Sequence, residues 1–246
     1  MRALMKNKLP IIVMFVVVAL VGFGIYYVIN HYINKPEEAV SPVSSTDASE
    51  NSSSSEPTFD EKTANAPAGG YKDPENRYWI KPPEKWQIID KDFALKKGKD
   101  ALPSNLKGYV KPDNIDVMFM DLSTPNQFGS NMNIIILDSS QGLFINDVTF
   151  AGLKDEIIKQ YTNMKLDDFK MINAEIVNLS GINSASFELS FNLLGDNLRI
   201  IQVIVPGSRS AAIITYTLNA DIMNEDLRKQ VEESYKSYIP NKEKGF

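Results

Sequence analysis

The side chains used most often for nucleophilic and acid–base chemistry are almost missing from this chain. It has no cysteine, and its single histidine, His31, lies beside an apolar N-terminal segment rather than in the part predicted to fold. The chain therefore has no thiolate nucleophile, no cysteine metal ligand and no disulfide. The predicted domain also lacks imidazole, the commonest general base and metal ligand. The sequence thus predicts a domain that packing alone stabilises and that has no conventional catalytic site.

Acidic and hydroxyl side chains are the remaining candidates for chemistry. Asp167 and Asp168 are adjacent, but neighbours on a strand point to opposite faces, and a turn between a helix and a strand explains the pair better. Asp113, Asp116 and Asp121 do not form the Asp-x-Asp-x-Asp-Gly loop of a calcium site. No Gly-x-Ser-x-Gly elbow and no phosphate-binding glycine loop is present. We therefore predict no catalytic, cofactor-binding or metal-binding residue, and a hydrolase using carboxylates or a serine–lysine pair remains an alternative.

Apolar side chains stand in two predicted connections, where polar residues are usual. Phe128 lies within the loop STPNQFGSN, and Phe144 and Ile145 follow a Gln-Gly pair. If exposed, such residues would contact a partner or the bilayer; if buried, they would close the edge of the fold. We take Phe128, Phe144 and Ile145 as candidate partner contacts. Three aromatic residues at the start of the domain are instead assigned to the core: Tyr78, Trp79 and Trp86.

Overall composition narrows the class of partner. The 26 basic and 31 acidic residues give a net charge of -5 and a pI near 5.1, so the chain offers no broad positive field for nucleic acid. We therefore predict no nucleic-acid binding. With 246 residues, 43% of them hydrophobic, the chain is expected to contain one globular domain.

The most apolar part of the sequence is LPIIVMFVVVALVGFGIYYVI, residues 9–29, which carries no charge. At about 1.5 Å per helical residue, some 20 residues span a hydrocarbon core of about 30 Å. A cleaved secretory signal is the alternative, but its apolar region would have about 7 to 15 residues. We predict one transmembrane anchor over residues 9–31.

Charge around this segment sets its orientation. Arg2, Lys6 and Lys8 precede the segment, within residues 1–8, whereas acidic residues follow it closely. Positive residues are retained in the cytoplasm, so the N-terminus is predicted to be cytoplasmic and the C-terminal domain extracytoplasmic, at the cell membrane.

Between the anchor and the domain lies a segment rich in serine, proline, glutamate and alanine, residues 35–73. Its few large apolar residues cannot offset the entropy of ordering the chain, so a disordered tether is predicted. A flexible chain of this length has a root-mean-square reach of roughly 35 Å. The predicted domain then occupies residues 74–240, and residues 241–246 form a tail.

Periodicity divides the domain into strands and helices. A short aromatic strand from Arg77, the turn Pro82-Pro83 and a strand over residues 86–89 suggest a hairpin. Further strands are predicted over residues 115–122, 132–137, 169–179, 185–193, 199–205 and 211–218. Apolar residues at three- and four-residue steps predict helices over residues 150–164 and 227–238.

Short connections between successive strands favour antiparallel pairing, and the apolar stripes of the helices must pack against a sheet. Strands 115–122 and 132–137 are expected to pair, and the four strands from residue 169 onward to form a meander. The predicted fold class is α+β, an antiparallel sheet flanked by helices, preceded by one transmembrane helix and a disordered linker. Some 165 residues bury enough apolar surface to fold without cross-links.

The order of several short motifs resembles that of the PsbP-like family. They are Pro-Glu-Lys-Trp at residues 83–86, VMFMDLS before NIIIL, the helix with residues 153–161, Gly181, and ITYTLNAD followed by a helix that ends in SYKSYIP. The resemblance covers most of residues 77–240 and implies an α/β/α sandwich in a membrane-tethered prokaryotic member. Members of the family act mostly as adaptors or assembly factors, and the resemblance supplies no site residues.

The function expected from these observations is a membrane-anchored extracytoplasmic binding or assembly module without catalytic activity and without a cofactor. The expected partner is another membrane or envelope protein. A domain that binds a small ligand or lipid is the alternative, and it would need an apolar pocket between sheet and helix.

Overall fold

The computed structural model describes five ranges of the chain: residues 57–92, 115–123, 130–138, 142–193 and 195–246. The predicted anchor over residues 9–31, the first part of the predicted tether and Phe128 lie outside these ranges. Within the described ranges, no helix has the length and apolar character needed to cross a membrane.

A seven-stranded antiparallel sheet forms the centre of the fold, in the order β3-β4-β5-β9-β8-β7-β6. Its first three strands are β3 (Trp86–Ile88), β4 (Ile115–Asp121) and β5 (Asn131–Asp138). The other four are β6 (Asp167–Leu179), β7 (Ile182–Leu193), β8 (Asp196–Pro206) and β9 (Ser210–Asn219). The predicted pairing of the strands over residues 115–122 and 132–137 is confirmed as β4 with β5.

Strands β6 to β9 form the meander that the sequence predicted, each paired antiparallel with the next. Tight turns connect these strands. At Gly181 the backbone φ is 84°, a value that residues with a Cβ atom rarely adopt. The meander returns β9 to the side of β5, so that the two halves of the sheet join in the middle.

Two helices cover opposite faces of this sheet. Helix α2 (Asp147–Asn163) buries Leu153, Ile157 and Tyr161 in one core, and helix α3 (Glu225–Lys236) buries Val231 and Tyr235 in the other. Side chains along each strand alternate between the two cores, because successive residues of a strand point to opposite faces. The α+β class, an antiparallel sheet with helices laid on it, is confirmed.

A small second sheet, in the order β1-β2-β10, packs on the side of the large sheet that carries α3. It consists of β1 (Tyr71–Lys72), β2 (Tyr78–Ile80) and β10 (Ile239–Pro240). The predicted hairpin between β2 and β3 is wrong, because β2 pairs with β1 and β10 while β3 pairs with β4. The chain turns at residues 83–86 and passes from one layer to the next, so β2 and β3 face the same core rather than sharing an edge.

The structure also differs from the predicted tether over residues 57–73. These residues contain helix α1 (Phe59–Ala64) and strand β1, and Phe59 is buried. Thr58 and Glu61 form a capping box, in which Thr58 N donates to Glu61 Oε2 at 2.8 Å. The prediction failed because the polar composition of the segment outweighed two local signals, the capping box and the aromatic Phe59. Residues 57–73 therefore belong to the fold rather than to the tether.

The last residues, predicted as a tail, also belong to the fold. A 3₁₀ helix (Lys242–Lys244) is followed by Gly245, whose carbonyl oxygen accepts hydrogen bonds from Arg209 N at 2.9 Å and Ser210 N at 3.2 Å. Phe246 is buried against Tyr238, with ring centroids 6.4 Å apart. The C-terminal segment thus closes the edge of the core on the α3 side.

Candidate functional site

Two apolar side chains at the start of α2 are the most exposed large hydrophobic residues that the structure describes. Phe144 is 72% exposed and Val148 is 81% exposed. Asn146 caps the helix by accepting from Val148 N at 3.0 Å and Thr149 N at 2.9 Å. Thr149 Oγ1 in turn donates to the carbonyl oxygen of Phe144 at 2.7 Å. These bonds hold the backbone of Phe144 close to the first helical turn, which also carries Val148. We call Phe144 and Val148 the exposed apolar pair.

The structure separates the residues that the sequence suggested as partner contacts. Phe144 is exposed, whereas Ile145 is only 5% exposed and lies in the core beneath α2. Phe128 lies outside the described residues. The exposed Val148 was missed by sequence reasoning, although it stands off the apolar stripe that begins at Phe150. That position was the available signal, since an apolar residue off the buried stripe must meet solvent or a partner.

The pair lies where three other parts of the chain meet. Leu143 N donates to the carbonyl oxygen of Gly207, in the turn between β8 and β9, at 3.1 Å. Gly207 is so closely surrounded that a Cβ there would lie 2.5 Å from the oxygen of Gly245 and from Cα of Phe246. The loop that carries Phe144 is therefore packed against the β8–β9 turn, which contacts the C-terminal segment.

The first described residues of the chain reach the same place. A cleft of about 190 Å³ lies between residues 57–62 and residues 240–243. The C-terminal side of this cleft also approaches the β8–β9 turn, since Arg209 Nη2 lies 3.5 Å from the carbonyl oxygen of Glu243. We call this region, residues 57–59, 142–148, 206–210 and 241–246, the tether end of the domain. The first described residues, 57–59, lie there, and so does the exposed apolar pair.

A buried carboxylate on the α3 side of the sheet is bound by two arginines. Glu188 on β7 has a side chain only 7% exposed, and its Oε1 accepts from Arg199 Nη1 at 3.1 Å. Arg228 on α3 donates from Nη2 to Oε2 at 2.8 Å, and this hydrogen bond raises the pKa of Arg228. The arrangement holds α3 on the sheet. A cleft of about 100 Å³ beside it also includes Glu175 and Glu232.

A second charged cluster connects the small sheet to β4. Asp73 accepts from Arg77 Nε and Nη2, both at 2.9 Å, and Arg77 Nη2 also donates to Asp116. Tyr78 OH donates to Asp116 Oδ2 at 2.5 Å. Asp116, weighed above as a cation ligand, thus pairs with an arginine. Across the ranges that the structure describes, no group of three or more histidine or acidic side chains could hold a metal ion.

Acid should weaken the domain through Asp73. Burial alone would raise the pKa of this carboxyl, but hydrogen bonds from the Arg77 side chain and backbone outweigh burial and lower the pKa. A carboxyl with a lowered folded-state pKa stabilises the fold above its ordinary pKa of about 3.9, and this stabilisation disappears as the pH falls through the folded-state value. We expect urea denaturation from pH 7 down to about pH 2 to show this loss, and Asp73→Asn to be less stable at pH 7 and to show a flatter pH dependence.

The control for this measurement is Asp60→Asn, which removes a carboxylate from a side chain that is 84% exposed. Its pH dependence should follow that of the wild type. Parallel curves for Asp73→Asn and the wild type would contradict a role for Asp73 in acid stability.

On the face of the sheet covered by α2, the central strands carry neutral polar side chains in place of apolar ones. We call this set the neutral strip: Asn131, Asn133, Gln202, Thr215 and Thr217. All five are 0% exposed. In register, Asn131 lies opposite Thr217, and Asn133 lies opposite Thr215.

Few hydrogen bonds satisfy the neutral strip. Gln202 Nε2 donates to Thr215 Oγ1 at 3.1 Å. The amide atoms of Asn131 and Asn133 and the hydroxyl of Thr217 have no hydrogen-bond partner among the described residues. Nothing in the pattern of residues 131–137 marks Asn131 and Asn133 as buried. Buried polar side chains are usually hydrogen-bonded, either to other protein groups or to ordered water.

The other residues weighed in the sequence have ordinary positions. Tyr78, Trp79 and Trp86 are buried, so their assignment to the core is confirmed. Asp167 and Asp168 are exposed at the first two positions of β6, after the turn that follows α2, and Asp168 Oδ2 accepts from an asparagine of β7 at 2.6 Å.

Comparison with known proteins finds similar solved structures. No family model matches the chain, and no curated protein matches it. Among solved structures, the cyanobacterial PsbP (CyanoP) of Synechocystis is 18% identical, with a TM-score of 0.46 over 70% of this chain and 91% of that chain. A PsbP protein is thus among the similar structures, in keeping with the resemblance seen in the sequence.

Two further solved structures are similar to the chain. LpqN of Mycobacterium tuberculosis, described as involved in cell envelope biogenesis, is 12% identical, with a TM-score of 0.43 over 70% of this chain and 89% of that chain. A protein of Bacteroides thetaiotaomicron is 14% identical with a TM-score of 0.42, matched over 71% of this chain. The chain spans about half (49%) of the length of that protein.

Proposed function

We propose that this chain is a membrane-tethered binding module that works outside the cytoplasm and has no catalytic activity of its own. The observation that carries the proposal is the exposure of Phe144 (72%) and Val148 (81%) at the tether end. Exposed apolar surface is where proteins contact other molecules. The partner is a component of the membrane or envelope, because the sequence places an apolar anchor upstream of the domain.

The tether is shorter than the sequence alone suggested. With the fold beginning near residue 57, residues 32–56 lie between the predicted anchor and the domain. A flexible chain of that length has a reach of roughly 25 to 30 Å. A domain on so short a tether stays close to the membrane, and components of the membrane are the molecules that it meets most often.

Photo-crosslinking from Val148 tests the proposal. The full chain carrying benzoylphenylalanine in place of Val148 should form adducts in intact membranes, because this side chain is 81% exposed within the contact surface. The matched control has the same group in place of Leu122, which is 48% exposed and follows β4 at the opposite end of the sheet. Equal adducts from the two positions would contradict a contact surface at the tether end.

The anchor is tested separately in the same membranes. The chain should stay with the membrane pellet after extraction with alkaline carbonate, and protease added from outside should digest the domain. Release by carbonate would contradict the anchor, whatever the crosslinking shows.

A further inference from the structure

We infer that the partner of the tether-end surface is the lipid bilayer itself, with Phe144 and Val148 inserted at the boundary between headgroups and acyl chains. This inference rests on the proposed function, because it requires the anchor to hold the domain beside a membrane. Aromatic and aliphatic side chains on one exposed face are suited to that boundary.

The position of the pair relative to the attachment point is the first argument. The chain enters the domain at residues 57–59, and the contacts of Leu143, Gly207 and the C-terminal segment place Phe144 at the same end. The other end of the sheet is farther away by the length of a strand such as β8, whose 11 residues span roughly 35 Å. Of the two ends, the one that carries the exposed pair is therefore held closer to the membrane.

The size of the apolar surface is the second argument. A specific protein interface buries about 800 Å² on each partner and usually surrounds its apolar centre with complementary contacts. Two apolar side chains, Phe144 and Val148, supply much less than this. A bilayer requires no complementary shape, and it accepts single apolar side chains wherever they reach the boundary.

The tether makes such a small contact sufficient. For a free protein, two inserted side chains would give weak and rapidly reversible membrane binding. Linkage turns the contact into an intramolecular event, with an effective concentration in the millimolar range for a short flexible linker. The docked state is therefore populated because the same chain is already anchored.

The charges at the tether end predict how the contact responds to salt. Three exposed basic residues, Arg209, Lys242 and Lys244, lie there together with the acidic Asp147 and Glu243. Because the signs are mixed, attraction to anionic lipid is not expected to drive the contact. Docking should occur on zwitterionic vesicles and should persist at high salt, where electrostatic membrane binding is screened.

Fluorescence quenching tests the inference. The full chain with Phe144→Trp is reconstituted in phosphatidylcholine vesicles that contain lipids brominated on the acyl chains. We expect Trp at position 144 to be quenched about two to three times as strongly as Trp at position 122 in the Leu122→Trp control, because insertion reaches about 5 to 10 Å into the boundary. Trp79 and Trp86 are buried, so the wild type supplies their background signal.

The outcomes separate the two levels of the proposal. Equal quenching at positions 144 and 122, in vesicles that retain the chain after carbonate extraction, would overturn bilayer docking while leaving the anchored module intact. Protein adducts in place of lipid adducts from Val148 would also overturn it. A chain that does not stay with the vesicles would refute the proposed function itself. Unchanged urea midpoints for both tryptophan variants show that the fold is intact.

Discussion

Replacing Glu188 by alanine is expected to lower the free energy of unfolding by about 3 kcal/mol, the largest single loss we expect for a polar side chain of this domain. The Glu188 side chain is 7% exposed and accepts hydrogen bonds from both Arg199 and Arg228. Its removal leaves Arg199, which is 26% exposed, beside the sheet without its carboxylate. This expected loss of stability is at the low end of the range for breaking a buried ion pair. The reason is that the Arg228 side chain, which is 46% exposed, can turn into solvent when Glu188 is removed.

Two variants show whether the loss comes from charge or from packing. Glu188→Gln keeps the shape of the side chain and removes only its charge, so it should be less destabilising than alanine. The double variant Glu188→Leu, Arg199→Leu replaces the pair by apolar groups that face α3 and should recover most of the stability, since a buried ion pair rarely exceeds a well-packed apolar pair. Urea denaturation at pH 7 measures all three. If Glu188→Ala lowers the free energy of unfolding by less than about 0.5 kcal/mol, the ion pairs of Glu188 contribute no more to stability than exposed salt bridges do.

The same cluster also shows what the sequence could predict. Residues 185–193 alternate between apolar and polar, and this alternation located β7 and its inward face correctly. That pattern predicts that Glu188 is a polar residue facing away from the core, and its side chain does point away from the α2 core. The pattern could not show that α3 returns over that face and buries Glu188, because that packing depends on residues about 40 positions later in the chain.

The errors at the start of the domain have a related cause. An aromatic strand, a proline turn and a second strand suggested a hairpin, yet β2 pairs with β10, whose residues lie near the C-terminus. Local turn signals fix where a chain changes direction but not which strand will be its neighbour. The capping box at Thr58 shows the opposite case, a local signal that was correct but was outweighed by the composition around it.

For the candidate site, the sequence identified Phe144 but could not separate it from Ile145. In the loop before α2 the two residues are adjacent, so one points into the core and the other into solvent, and only the fold decides which. Val148 and the neutral strip were missed for the same reason. Whether these residues are exposed or buried depends on which strands and helices pack over them. The sequence of a single strand or helix does not contain that information.

The neutral strip can be tested with the double variant Asn131→Leu, Asn133→Leu. An unmatched buried polar group costs about 1 to 3 kcal/mol, and both amides lack partners among the described residues. Leucine has the same branched skeleton as asparagine and continues the apolar face, so we expect the free energy of unfolding to rise by about 3 kcal/mol in urea denaturation. The matched control, Asn173→Leu on the exposed edge strand β6, should change it by less than about 0.5 kcal/mol.

The sign of the change decides between two explanations of the strip. A gain in stability would mean that the fold does not need these amides. A loss of more than about 1 kcal/mol would instead show that buried waters satisfy the amides and that the strip is structural.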